Sequence, residues 1–206
     1  VPHRPIPYRQ REVAIVSAPE ASSLQVVNNF VEVQHLPELL RGRGGWSYGI
    51  YPGLLGDAAP SWHIHLCGSR KAHERAIHDD VLAATPGMEA LHEVWTQIKD
   101  NLAQDYGLVR AYVTGHTHGQ DGVAHHYAKP SDQERVALLY ASAEWKDDWA
   151  GETVFYDTAR ECISIRPRPG RLVLFDGAVT RASRAPAREC PTLCSTITFH
   201  MRRVRR

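Results

Sequence analysis

Apolar positions along the first third of the chain come in short runs that change period several times. Glu12 to Ser17 (EVAIVS) is a β-branched run that predicts a strand, and Leu24 to Val33 fits either a second strand or the start of a helix. Leu36 to Arg41 suggests a short helix ended by Gly42, Gly44 and Gly45. Trp46 to Pro60 is rich in Gly and Pro and reads as a long loop. Ser61 to Cys67 then alternates, with Trp62, Ile64 and Leu66 on one face and His63, His65 and Cys67 on the other, as in a half-buried strand. After a loop over 68–85, Met88, Leu91, Trp95, Ile98 and Leu102 recur at three- and four-residue steps, which predicts a helix with one apolar face. Thr85-Pro86 is placed to start that helix, and Gly107 to close it with a left-handed turn.

From Leu108 onward the period shortens to that of strands. Eight candidates follow, at 108–118, 123–128, 135–142, 152–156, 161–165, 171–175, 178–183 and 194–201. Short strands with regular turn signals predict a mainly β (α+β) fold, a double-sheet jelly roll, with helices from the first half packed outside it. No repeat or linker divides the chain. Residues 1–206 are therefore expected to form one domain, with a Pro- and Arg-rich arm (1–10), a supporting region (11–107), the β core (108–201) and a basic tail (202–206).

Composition narrows the function. The 206 residues carry 24 basic and 23 acidic side chains, a net charge of +1, which argues against nucleic-acid binding. No apolar stretch is long enough to span a bilayer, and the first residues have no signal-peptide core. Cys67, Cys162, Cys190 and Cys194 form no paired framework, so reduced thiols and a cytoplasmic setting are expected. His116, His118, His125 and His126 crowd into eleven positions, a density compatible with metal binding or with hydrogen-bonded strand edges. The acidic positions Glu144, Asp147, Asp148, Glu152 and Asp157 read as a solvated loop, and Asp176 as the first residue of an Asp-Gly turn.

Three segments are more specific: GHTHGQDG at 115–122, EWKDDWAGETVF at 144–155 and RPGRLVLFDG at 168–177, followed by Arg184-Ala185-Pro186 and Cys190-Pro191. In order and spacing they resemble the prolyl-4-hydroxylase-like branch of the iron(II)/2-oxoglutarate oxygenases. The resemblance covers about Leu108 to His200. It implies a double-stranded β-helix, the cupin-like jelly roll, with a His-x-Asp pair and a later His holding iron and a basic residue clamping 2-oxoglutarate. In it the Trp145/Trp149 pair belongs to a buried structural turn.

Carried over residue by residue, the resemblance breaks at the iron site. His125 matches the first ligand, Tyr127 stands where the carboxylate belongs, and Arg181 stands where the second histidine belongs. Cys194, in Cys194-Ser195-Thr196, falls where the clamping basic residue is expected, and His118 takes the place of a cosubstrate-binding tyrosine. Arginine stays protonated and repels a cation, so iron and 2-oxoglutarate are not expected.

The implied reading is a repurposed enzyme of small-molecule biosynthesis, acting without a cofactor on a small anionic metabolite. His125 or His118 would serve as general base, Tyr127 as proton donor and Arg181 as anion anchor, for isomerisation, elimination or cyclisation. His116, Cys194 and Thr196 are pocket candidates. One alternative is a rewired site of His118, His125 and a Tyr127 phenolate binding Fe, Cu or Zn in an oxidase or oxygenase. Another is a non-catalytic copy that forms a homodimer or pairs with an active homologue.

Overall fold

The chain's architecture is taken from a computed structural model. It describes residues 13–17, 23–34, 36, 40, 45–51, 59–71, 74, 76–127, 133–156 and 162–204. Among the described residues, eleven strands form two sheets. The strands are β1 (Val13–Ser17), β2 (Ser23–Val27), β3 (Ser47–Gly49), β4 (Ser61–Gly68), β5 (Tyr106–His116), β6 (Glu134–Tyr140), β7 (Thr153–Tyr156), β8 (Cys162–Ile165), β9 (Leu172–Asp176), β10 (Thr180–Ser183) and β11 (Cys194–Arg203). The large sheet runs β1-β2-β9-β6-β11-β5-β4-β3 and the small one β10-β7-β8, every pair antiparallel. The arrangement resembles a double-stranded β-helix, and among the described residues neither sheet closes into a barrel.

Alternation along the central strands explains the layering, because residues i and i+2 share a face. On β11, Ile197, Phe199 and Met201 point outward and join Met88, Leu91, Val94, Trp95 and Ile98 in one core. The last four come from helix α2 (Glu89–Leu102) and Met88 is its N-cap, while the preceding helix α1 (Asp79–Ala84) adds Leu82. Trp95 stacks on Phe199 with centroids 6.3 Å apart. The other core lies between the sheets, where Leu24, Val26, Val136, Leu138, Val173 and Phe175 meet Phe155, Ile165 and Val179. The inner row of β11 and β5 is different in kind. Cys194, Thr196, Thr198 and His200 pair across with His116, Thr114, Tyr112 and Arg110, and all eight are buried. Evenly spaced polar residues thus run through the space between the sheets. His200 Nε2 and Glu134 Oε2 meet at 2.5 Å at one end of it.

Several expectations require correction. The 123–128 segment is no strand: His125 makes an isolated bridge to Arg181. Thr85 ends α1, its hydroxyl donating to the Val81 carbonyl at 2.6 Å, so it does not start α2; α1 itself lies in the stretch expected as a loop. Gly107 belongs to β5, and α2 ends at Ala103, whose N–H donates to the Lys99 carbonyl. The expected long loop at 46–60 holds the short edge strand β3, and residues 52–58 lie outside the described residues. On β4 a register shift between His65 and Cys67 turns Cys67 into the helix-side core. Trp62, paired with Tyr48 of the edge strand β3, is 37% exposed, with its ring centroid 5.2 Å from that of Tyr48. The expected 36–41 helix falls mostly outside the described residues, as do the 1–10 arm and the tip of the basic tail. No helix of the described residues is long and apolar enough to cross a membrane.

Gly170 shows how tightly the turns before the strands are built. Its φ is +72°, and a Cβ there would lie 2.1 Å from the Val31 carbonyl oxygen. Gly170→Ala therefore strains the backbone and pushes two chain segments apart. A drop in melting temperature of about 5–10 °C is expected by thermal denaturation.

Candidate active site

The site forms where β10 meets the segment after β5. The His125 N–H donates to the Arg181 carbonyl at 2.9 Å and the Arg181 N–H to the His125 carbonyl at 2.8 Å. This reciprocal pair puts the two side chains next to each other. The Tyr127 N–H donates to the Gly177 carbonyl at 2.8 Å, so the same segment is pinned a second time. Asp121 secures its start, one carboxylate oxygen accepting from the Ala185 N–H at 2.8 Å. Asp176 caps the turn before β10, accepting from the Ala178 N–H at 2.9 Å.

Arg181 is the unusual residue. It is 2% exposed, and its guanidinium meets hydroxyl groups. Nε donates to the Tyr127 oxygen at 3.1 Å, Nη2 donates to the same oxygen, and Nη1 donates to Ser183 Oγ at 3.3 Å. The Tyr112 hydroxyl donates to the Tyr127 oxygen at 3.0 Å. Burial alone pulls the arginine toward neutrality, but Tyr127, Tyr112 and Tyr140 outweigh it, so the guanidinium stays charged. Burial pushes the Tyr112 hydroxyl well above its usual range, with Tyr127 adding to the effect. Behind it Tyr51 stacks on Tyr112 at 4.0 Å and shares a 2.9 Å hydrogen bond with His65 Nδ1.

A small cavity opens beside this cluster. Ser61, Tyr112, Thr114, His116, His125 and Arg181 form its polar wall, with Ser183 at the rim. Its volume, counted as the space for the centre of a water-sized sphere, is about 30 Å³. That is room for about two waters. Both histidines are held neutral. Burial pulls His116 below its ordinary value, with Arg181 contributing. Burial and then the Arg181 charge drive His125 down to about 3. His125 Nδ1 lies 3.0 Å from the Val123 carbonyl and His116 Nδ1 3.1 Å from the Gln120 carbonyl.

Not every expected site residue reaches the cavity. His125, Arg181 and His116 line it. Tyr127 stands behind Arg181, 3% exposed, as its hydrogen-bond acceptor. His118 lies past the end of β5 in an exposed turn, its Nδ1 3.4 Å from the Pro186 carbonyl, so it does not join His125. Cys194 and Thr196 lie on the inner row of β11. Cys194 Sγ lies 3.8 Å from the Gly151 carbonyl, and burial pushes its thiol up to about 12. Thr196 Oγ1 and Thr114 Oγ1 hydrogen-bond at 2.9 Å. Tyr112, Ser61 and Ser183 were not foreseen. For Tyr112 the alternation of β5 carried the signal, since it shares parity with Thr114 and His116. The Trp145/Trp149 pair is an edge-to-face contact at 5.6 Å in a turn closed by Trp145 Nε1 donating to the Ala150 carbonyl at 3.0 Å. Trp149 is buried there.

Solved structures share this fold. A Pseudomonas putida prolyl-4-hydroxylase matches with a TM-score of 0.57 and 15% identity over 88% of this chain and 93% of that one. A Trichoplax adhaerens prolyl hydroxylase, in complex with a peptide fragment of the hypoxia inducible factor oxygen degradation domain, matches at 0.61 and 16% over 87% and 83%. The non-heme alpha ketoglutarate dependent epimerase SnoN from nogalamycin biosynthesis matches at 0.59 and 12% over 87% and 76%. No protein-family model and no curated protein matches the chain. The architecture is thus that of the iron(II)/2-oxoglutarate oxygenases, at an identity that establishes the fold alone.

The iron of those enzymes does not fit the residues here. Among the described residues, no group of three or more His, Cys, Asp or Glu is placed to hold a metal ion. The strand position facing His125 carries a buried guanidinium, which repels a cation. The same geometry argues against a site of His118, His125 and Tyr127: His118 is exposed and does not line the cavity, and the Tyr127 oxygen already accepts from Arg181 and Tyr112.

Two outcomes follow. The folded pKa of His125 lies below its unfolded one, so the unfolded chain binds the proton more readily as pH falls. Stability should decline as pH drops from about 6.5 toward 3, and His125→Asn should flatten that decline in chemical denaturation curves. In the double variant Tyr127→Asp/Arg181→His, the His-x-Asp…His set is complete across the His125–Arg181 bridge. It is expected to bind iron(II) near one per chain by calorimetry, while the parent protein binds none.

Proposed function

We propose that this chain is a divergent protein of the oxygenase fold that performs acid–base chemistry on a small anionic metabolite without iron or 2-oxoglutarate. The observation that carries this reading is Arg181, a buried guanidinium on a cavity wall whose hydrogen-bond acceptors are hydroxyls. A buried cation with no carboxylate beside it favours an anionic ligand, because the ligand supplies the missing countercharge. In this reading Arg181 anchors the carboxylate. His125, on the cavity wall, is the proton acceptor. Tyr112, on the cavity wall, is the nearer hydroxyl proton donor, and Tyr127 acts through Arg181 by accepting its hydrogen bonds. These roles suit isomerisation, elimination or cyclisation, in which a proton leaves one carbon or oxygen and another is delivered. Loss of the family's chemistry with retention of a built pocket fits a repurposed enzyme of small-molecule biosynthesis in the cytoplasm.

A second reading has a specific observation in its favour. The Arg181 guanidinium carbon lies 5.2 Å from the centre of the Tyr127 ring, and this contact fills space beside a cavity of only about 30 Å³. A non-catalytic binder, alone or paired with an active homologue, would need no more than that.

Deuterium exchange separates the two. In D₂O, an acid–base enzyme should exchange the hydrogens on the carbon next to the carboxylate of a bound small acid, seen as loss of proton NMR signal. His125→Asn should lower that rate by about 10²-fold or more. Carboxylates that bind without any exchange would leave the binder reading standing and overturn the enzyme.

A further inference from the structure

The charges around the cavity, and the place of its apolar side chains, narrow the ligand beyond a bare anion. Among the described residues that line it, Arg181 is the one charged group at neutral pH. No Asp, Glu or Lys stands on the wall, and His116 and His125 are both held neutral. The chain itself uses one N–H of each guanidinium nitrogen, Nε and Nη2 on the Tyr127 oxygen and Nη1 on Ser183 Oγ. Each terminal nitrogen carries a second N–H, and such a pair matches the two oxygens of one carboxylate.

The solvent side of the cavity is of another character. Val123 lines it and is 45% exposed, and half-buried Ala59 lines it as well. Backbone contacts hold Val123 at this place. The Gly122 N–H donates to the Ser183 carbonyl at 2.7 Å, and the Val123 carbonyl lies 3.0 Å from His125 Nδ1. An apolar side chain fixed in water gains when hydrocarbon covers it. A second carboxylate on the ligand would meet no second cation on the wall. An ammonium would meet no carboxylate there and would face the Arg181 charge.

We propose that the cavity takes a monocarboxylate with an apolar body, its carboxylate on Arg181 and its hydrocarbon leaving past Val123. The proposal rests on the anion-anchoring reading above and deepens it to a substrate class.

The test is a calorimetric titration of the full chain at neutral pH with sodium acetate, sodium hexanoate, sodium adipate and hexylammonium chloride. Hexanoate is expected to bind at least about tenfold more tightly than acetate, since its added methylenes leave water at the mouth. Adipate ends the same carbon chain in a second carboxylate and should bind more weakly than hexanoate. Hexylammonium should not bind, and excess acetate should displace hexanoate. Val123→Ser should lower the hexanoate-to-acetate affinity ratio by about threefold or more. Equal affinity for acetate and hexanoate, or adipate as tight as hexanoate, would overturn the apolar body while leaving the anion anchor intact. Binding of hexylammonium, or of hexanoate that acetate does not displace, would overturn the placing of the head group. An unchanged ratio in the variant would overturn the exit past Val123. Failure of every carboxylate to bind would overturn the anchoring reading itself. The parent-protein series decides the substrate class even if the variant does not fold.

Discussion

The two sheets are organised around one buried guanidinium. Removing an arginine from water costs several kcal/mol unless its donors are met, and here they are met by the hydroxyl oxygens of Tyr127 and Ser183. Arg181 comes from the small sheet, Tyr127 from the bridging segment and Tyr112 from the large sheet, joined through a single phenolic oxygen. Tyr51 then stacks on Tyr112, and His65 on β4 meets the Tyr51 hydroxyl. A line of contacts thus runs from β10 to β4 across the interior. Its charge sets the local electrostatics as well. The same guanidinium helps hold His116 and His125 neutral, so the cavity presents a positive donor next to unprotonated imidazoles.

The scaffold and the chemistry separate cleanly in this chain. The motif residues on which the resemblance rests do structural work that needs no metal. Asp121 holds the Ala185 N–H, Asp176 caps the turn into β10, Trp145 closes the turn at Ala150, and Gly170 lets the chain pass against Val31. Each of these positions the end of a strand. At the positions where the resemblance expects iron ligands, the Tyr127 phenol and the Arg181 guanidinium form a buried hydrogen-bonded cluster. The fold is shared with solved structures at 12–16% identity, whereas among the described residues no group of three or more His, Cys, Asp or Glu is placed to hold a metal ion.

Period-two alternation and turn residues made the β core legible from sequence, because a strand buried on one face must alternate. All of β5 to β11 lie within about two residues of their expected places. The motif spacing also put Arg181 at the position facing His125, and the reciprocal backbone bonds between them place it there. Local signals failed where a neighbouring element decided the outcome. Thr85 and Gly107 have the right chemistry for helix ends, yet the docking of α1 and the pairing of β5 with β11 and β4 claimed them. His118 shares parity with His116, but β5 stops at His116 and parity means nothing in a turn.

What the sequence determined alone was which residue types stand where the resemblance expects ligands, since a chemical group can be read without coordinates. It also determined the order of strands along the chain and the apolar face of α2. Only the tertiary structure decided that Tyr127 serves Arg181 and does not face the cavity, and that Tyr112 takes the place beside it. It alone decided that His116, and not His118, accompanies His125. The physical reason is that these assignments depend on which strand ends meet. Strand ends meet through long-range backbone pairing, such as the bridge between residues 125 and 181, which no local pattern encodes.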